Sequence, residues 1–244
     1  MRKASDIMNP WDTPELQFDA STFCGTARLF PLPNLVLYPH VMQPLHIFEE
    51  RYREMLDDAL ADDGLIAMAL LEPGWETDYV SRPPVAPLAC LGKVVAHHRL
   101  EDGTYNVLLL GVERIRIVRE LDPLRSFRQA EVQIVEDCYD FATPADRECL
   151  QDKLVTSFRK HLPCACQLPE QLEDMLSRHL PLGLLTDLAS YALPLDIGVK
   201  QKLLSEPRVG VRARLLLAQI EQKFAGKKTS AVAKSGFPPH FSDN

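Results

Sequence analysis

Leu29-Phe30-Pro31-Leu32-Pro33-Asn34-Leu35-Val36-Leu37-Tyr38-Pro39, continuing through Pro44-Leu45-His46-Ile47-Phe48-Glu49-Glu50-Arg51-Tyr52, is a proline-punctuated extended segment that feeds straight into a helix. Proline fixes φ and removes a backbone donor, so such a segment belongs at sheet edges and bends. The helix that follows is written in its spacing. Between Glu49 and Asp63, Tyr52, Met55, Leu56, Ala59 and Leu60 recur at i, i+3, i+4, i+7 and i+8, one apolar stripe, with Glu50, Arg53, Asp57 and Asp58 facing out. Glu49 and Glu50 suit the positive N-terminal end, and Gly64 is placed to stop the helix.

Working outward, the signals from Ala27 to Glu136 are otherwise β. Leu65-Ile66-Ala67-Met68-Ala69-Leu70-Leu71 is a short continuous apolar run, the pattern of a buried strand. Leu88–Leu100 and Tyr105–Val118 flank Glu101-Asp102-Gly103-Thr104, where Asp-Gly signals a hairpin. In the second arm Ile115 and Ile117 alternate with Arg114 and Arg116, one face buried and the other wet. Ala130, Val132 and Ile134 alternate in the same way. After Tyr139 the pattern turns helical. Thr143-Pro144 is an N-cap and first-turn pair, and Leu150, Leu154, Val155 and Phe158 form a stripe. Further helices fit Pro169–Leu180, Leu184–Leu193, Ile197–Leu204 and Val209–Phe224, joined by short links as in a small bundle. The expected organisation is an irregular extension over 1–26, a β-rich lobe over 27–138, a helical lobe over 139–225 and a Lys-, Ser- and Pro-rich disordered tail over 226–244.

The 244 residues are 46% hydrophobic and 25% charged, ordinary globular composition with enough chain to bury a core. A net charge of -7 argues against a nucleic-acid partner, which needs a concentrated basic surface. No stretch approaches the roughly 20 apolar residues that cross a bilayer, and no apolar run follows the basic start, so neither a membrane nor a secretory signal is expected. The six cysteines are spread over a chain that needs no staples, which points to reduced thiols in the cytoplasm.

The opening segment resembles the first motif of the Lon amino-terminal domain family, roughly "FPLPNLVLFPG…PLHIFEPRY", with His40 where that pattern has Gly and Glu50 where it has Pro. Gly92 and Gly111-Val112-Glu113-Arg114-Ile115 resemble its later "G…GV-R-" signature. Leu188-Ala189 and Lys200-Gln201-Lys202-Leu203-Leu204-Ser205-Glu206 resemble its "lA…KQ-LLE" stretch. The resemblance runs from about Ala27 to Phe224. It implies an α+β fold, a β-rich pseudo-barrel (PUA-like) lobe followed by a C-terminal helical bundle. It also implies a role in recognising unfolded or tagged polypeptides, the domain preceding ATPase and Ser-Lys protease modules in full-length Lon.

Chemistry of the chain's own is not expected. No G-x-x-x-x-G-K-[ST] phosphate cradle is present, Ser230, Lys234 and Ser235 have no scaffold to form a dyad, and there is no G-x-S-x-G elbow. His161, Cys164, Cys166 and His179 are the best metal candidates, but C-x-C is tighter than zinc spacing, so no metal and no cofactor is expected. His97 and His98 fall on opposite faces of a strand. Glu113, Arg114 and Arg116, with Glu49 and Arg51, either brace the sheet against the first helix or rim a groove. Hydrophobic surface remains. Trp75 and Tyr79 lie in the long link Glu72–Pro87, where Trp75 either anchors a partner or folds onto the core, and Tyr38 and Met42 lie at the first bend. The expected function is non-enzymatic binding of unfolded or tagged polypeptides by an apolar groove near Tyr38, Met42, Trp75 and Tyr79, with edge-strand pairing adding sequence-tolerant affinity. The alternative is an adaptor or scaffold for one folded partner, such as a separate protease or ATPase.

Overall fold

The computed structural model describes residues 18–77, 82–122, 124–161 and 180–224, together with the backbone of Ser242–Asp243. Its strands are β1 (Thr26–Leu32), β2 (Met42–Ile47), β3 (Leu65–Leu70), β4 (Leu88–Arg99), β5 (Tyr105–Glu120), β6 (Arg128–Ile134) and the short β7 (Ser242–Asp243). The helices are α1 (Glu50–Leu60), α2 (Pro144–His161), α3 (Leu182–Ala192), α4 (Ile197–Leu204) and α5 (Val209–Phe224). The helix expected over Pro169–Leu180 lies almost wholly outside the described residues, as do Cys164, Cys166, His179 and the tail up to 241.

Five strands close into a ring. β1 pairs parallel with β3, β3 antiparallel with β4, β4 with β5, β5 with β6, and β6 returns to β1. Inside it lie Ala27, Leu29, Leu65, Ala67, Ala69, Ala89, Leu91, Ile115, Ala130 and Val132. Alanine recurs there because a ring of so few strands leaves little room for side chains. The outward residues of the same strands, Phe30, Leu32, Ile66, Met68, Leu70 and Cys90, join a second core shared with α1 and the helical lobe. β3 is therefore buried on both faces, which is why its sequence reads as a continuous apolar run. β1, expected at an edge or bend, is instead barrel wall. Its one proline, Pro31, is tolerated because β6 pairs only with Thr26–Leu29, so the missing donor falls where that ladder has ended.

Local punctuation matches the residues that carry it. Gly103 has φ +82 in the hairpin turn, where Leu100 N–H donates to Thr104 O at 2.8 Å. Gly64 has φ +71 and returns its N–H to Ala59 O at 2.8 Å, ending α1. Thr143 Oγ1 accepts from Asp146 N–H at 3.2 Å at the start of α2. The outward face of α1 is less free than its spacing suggests. Arg28 of β1 binds Asp58 at 2.5 Å, Asp62 at 2.9 Å and Asp63 at 2.7 Å, and Tyr105 Oη donates to Asp57 at 2.8 Å. These contacts, with the Phe30–Tyr52 ring pair at 4.5 Å, seat the helix on β1 and the hairpin.

β4 and β5 are longer than the barrel needs. Leu88–Lys93 of β4 and Ile115–Glu120 of β5 belong to the ring; beyond Lys93 and Gly111 the hairpin continues as a sheet extension to which β2 adds, Met42↔Leu110 through Ile47↔Tyr105. The handover is a clasp. His40 N–H donates to Gly111 O at 2.7 Å, Gly111 N–H to Val41 O at 2.9 Å, and Val41 N–H to Tyr38 O at 3.3 Å. Pro39 and His40 are the middle residues of this turn, with His40 at φ +64, the arrangement of a type II turn leading into a bulge opposite Gly111. Among the described residues His40 is the one non-glycine at positive φ. A Cβ at residue 111 would stand 2.0 Å from Tyr38 O.

Two substitutions test the clasp. Gly111→Ala is expected to cost about 3 kcal/mol or more, because the clash is with backbone that cannot rotate away. His40→Gly is expected to hold or raise stability by up to about 1 kcal/mol, whereas His40→Val loses more than about 1 kcal/mol. Urea unfolding measures both; equal midpoints for the two His40 variants would sink the account of the turn.

Candidate functional site

The sheet extension presents one covered face and one open one. Gln43, Leu45 and Ile47 of β2 point into the core, while Met42, Pro44 and His46 alternate onto the other face and are half-buried. On that face Met42 lies beside Leu110, Pro44 beside Leu108 and His46 beside Asn106, with Lys93, Ala96 and His98 of β4 in the next row. His46 Nδ1 is 2.9 Å from Asn106 Oδ1, and its ring stacks at 6.2 Å on Phe48, a large apolar side chain left 41% exposed. The result is a partly apolar surface with a sheet edge along its border.

The opposite face is locked to the helical lobe. Tyr38 Oη donates to Lys200 O at 2.6 Å, Tyr191 Oη to Gln43 Oε1 at 2.8 Å, and Lys200 Nζ to Tyr191 O at 2.7 Å. Burial pulls the Lys200 ammonium down to about 8. Deeper still, Arg114 of β5 meets Asp187 of α3 and, at 3.0 Å, Asp137 of the strand-to-helix connection. Arg212 of α5, fully buried, holds both oxygens of Asp137 at 2.9 and 2.7 Å and approaches Asp187 at 3.4 Å. Carbonyls add to the shell: Arg114 Nε donates to Leu204 O at 3.1 Å and Arg212 Nη1 to Glu206 O at 2.7 Å, while Arg212 Nε makes no hydrogen bond among the described residues. Burial pushes the Asp187 carboxyl above the usual range, against the pull of the two guanidiniums.

Of the four residues expected to line a groove, Tyr38, Met42 and Trp75 lie among the described residues, each in a different setting. Tyr38 is fully buried, and its hydroxyl is spent on Lys200, so it faces no partner; it pins the first bend to α4. Met42 is half-buried at the start of β2. Trp75 is half-buried in a short 3-10 turn of the β3–β4 link, whose far end is tied to β6 and its approach through Arg128 Nη1 to Pro83 O and Arg82 Nη1 to Leu121 O. Tyr79 lies outside the described residues.

Two charge readings change. The arginine face of β5 is not wet at Arg114, which is 3% exposed beneath the helices. Nor does Arg114 brace α1; Arg51 pairs with Glu49 at 2.8 Å, separately. His97 and His98 pair with the consecutive residues Val107 and Asn106, so they do face opposite ways. Among the described residues no group of three or more His, Cys, Asp or Glu is placed to hold a metal, and no helix is long and apolar enough to cross a membrane. Sequence reasoning missed the Asp137–Asp187–Arg212 set and the clasp around Gly111. Only the glycine and arginine of Gly111-Val112-Glu113-Arg114 pointed toward them.

This barrel, extension and helical lobe recur in solved structures. A Lon N-terminal domain protein from Xanthomonas campestris superposes with a TM-score of 0.59 at 23% identity, covering 79% of this chain and 97% of that one. The N-terminal domain of Mycobacterium avium complex Lon protease superposes at 0.61 and 20% identity, covering 80% and 98%. Residues 26–222 match the family model of the ATP-dependent protease La (Lon) substrate-binding domain. The chain belongs to that family. Among similar sequences, Lon protease 2 of Syntrophobacter fumaroxidans is 29% identical over 181 residues, 74% of this chain but 22% of that protein. The Lon protease of Dictyoglomus thermophilum is 26% identical over 187 residues, 77% and 23% respectively. The chain thus corresponds to less than a quarter of these proteases, the part the family model describes as substrate-binding.

In this Lon-type domain the buried charge network should hold the two lobes together. Asp187→Asn is expected to cost about 3–5 kcal/mol, since it leaves two buried guanidiniums short of a counter-charge. The double variant Arg114→Met/Asp187→Leu should lose at least about 1 kcal/mol less than the sum of its single changes. Urea unfolding of the four proteins checks this, and additive losses would show that the pair is not coupled.

Proposed function

We propose that this chain binds unfolded or tagged segments of other polypeptides without chemistry of its own. The match of residues 26–222 to a substrate-binding domain carries the reading. The open face of the sheet extension supports it: Met42, Pro44, Leu108 and Phe48 offer apolar contact beside a strand edge, a combination suited to chains recognised by shape and backbone rather than by one sequence. Met42 remains the contact residue in this reading and Trp75 a second, separate one. Its setting is the cytoplasm, where Cys24, Cys138 and Cys149, free and exposed, stay reduced.

Fluorescence anisotropy of a labelled, reduced and carboxymethylated protein, permanently unfolded, is the direct test. Micromolar binding is expected, with none to the same protein folded, and Met42→Asp is expected to weaken it several-fold, since a charge at a desolvated contact is costly. Indifference to unfolded chains, with a discrete complex formed by one folded protein, would replace this reading with that of an adaptor.

A further inference from the structure

We propose that the outer edge of β2 is a strand-addition site for an extended polypeptide segment, and that residues 242–243 of the chain occupy it in cis as a weak competitor. The proposal rests on the polypeptide-binding reading and names the place where the backbone of the bound chain is held.

The direction of β2 fixes what its edge offers. Val41 O accepts from Gly111 N–H, so residues 41, 43, 45 and 47 turn their main-chain groups toward β5, and 42, 44 and 46 turn theirs outward. Pro44 brings no N–H to that edge, while its carbonyl, which accepts from Gln43 Nε2 at 2.7 Å, keeps a second lone pair for an edge donor. A long uninterrupted partner strand is thereby discouraged, the ordinary defence of an exposed edge. The N–H groups of Met42 and His46 still point outward. Among the described residues, the segment seated there is 242–243: Ser242 pairs with Leu45 and Asp243 with His46, in parallel.

That pairing shows both what fits and how tightly. The occupant is extended backbone, parallel to β2, in register at His46. A two-residue ladder gains little, so it is displaced by a chain that adds contacts with Met42, Pro44 and Phe48 on the neighbouring face. Main-chain pairing indifferent to sequence, plus a few apolar contacts, is the chemistry expected of a reader of unfolded chains.

Ser242→Pro, made in the full chain, removes a tail donor without touching the barrel. The variant is expected to bind the carboxymethylated probe about three- to tenfold more tightly than the parent, because an internal competitor is removed. Hydrogen exchange at the His46 amide should be slow in the parent, fast in the free variant and slow again with probe bound. Equal affinities, with the His46 amide unprotected in a complex that does form, would overturn strand addition and leave polypeptide binding standing. No binding by either form would overturn both.

Discussion

Arg114 and Arg212 are buried guanidiniums, and two lobes are assembled around the need to neutralise them. Neither is tolerable alone in an apolar interior: a desolvated charge must be paired and its remaining donors satisfied. Asp187 comes from α3, Asp137 from the connection after β6, and carbonyls from the end of α4 and the turn before α5. Each therefore fixes the position of a different helical element relative to β5. Hydrophobic packing alone would let the bundle slide on the barrel, because apolar contact is non-directional. The network gives the interface one register, and the hydroxyls of Tyr38 and Tyr191 extend it to the first bend and to β2.

From that fixed interface the geometry of the open surface follows. The ring is small enough to be filled largely by alanine and leucine, so it encloses a core and not a binding cavity. Whatever the domain binds must be met outside the ring. The β4–β5 hairpin overshoots it, and the clasp at Gly111 turns the chain so that β2 lines the overshoot. One face of this extension is consumed by Gln43, Leu45 and Ile47 packing toward the helices; the other is left open with Met42, Pro44 and His46. The same residues that anchor β2 thus determine which of its faces and which of its edges remain available.

How much of this could be read from the chain depends on how far apart the interacting residues stand. Helix α1, the Asp102-Gly103 turn, the Thr143 cap, α4 and α5 were legible because their signals are local: spacing, a turn dipeptide, a cap three residues from its donor. The run at β3 was legible as buried, though not the reason, which is the barrel interior on one face and the core shared with α1 and the helical lobe on the other. What escaped were pairings across long separations. Arg114 alternates with isoleucines as a wet-face residue would, and nothing nearby announces that Asp187 and Asp137 will cover it. Asp58 looks solvent-facing until Arg28 reaches it. Tyr38, an aromatic at a bend, reads equally as anchor or as core, and the helical lobe decides for core. His40 is instructive in the other direction. Its departure from glycine marks a residue whose positive φ only the fold explains.

An open sheet edge is ordinarily a hazard, since it templates pairing with any passing chain. β2 carries a usual countermeasure, a proline without a donor in the middle of the strand. Yet a fully sealed edge would be useless for the strand addition we propose, and a fully open one would aggregate. In the proposed strand addition, partial blocking settles the conflict: it limits the ladder to a few bonds around His46, too few to hold a separate chain tightly without the help of apolar contacts on the adjoining face. Affinity then requires both a free backbone and exposed apolar side chains in the same segment. Folded proteins seldom display that pair of features together, and unfolded ones do, so in the proposed mode of binding any discrimination lies in the requirement for both and not in any single contact.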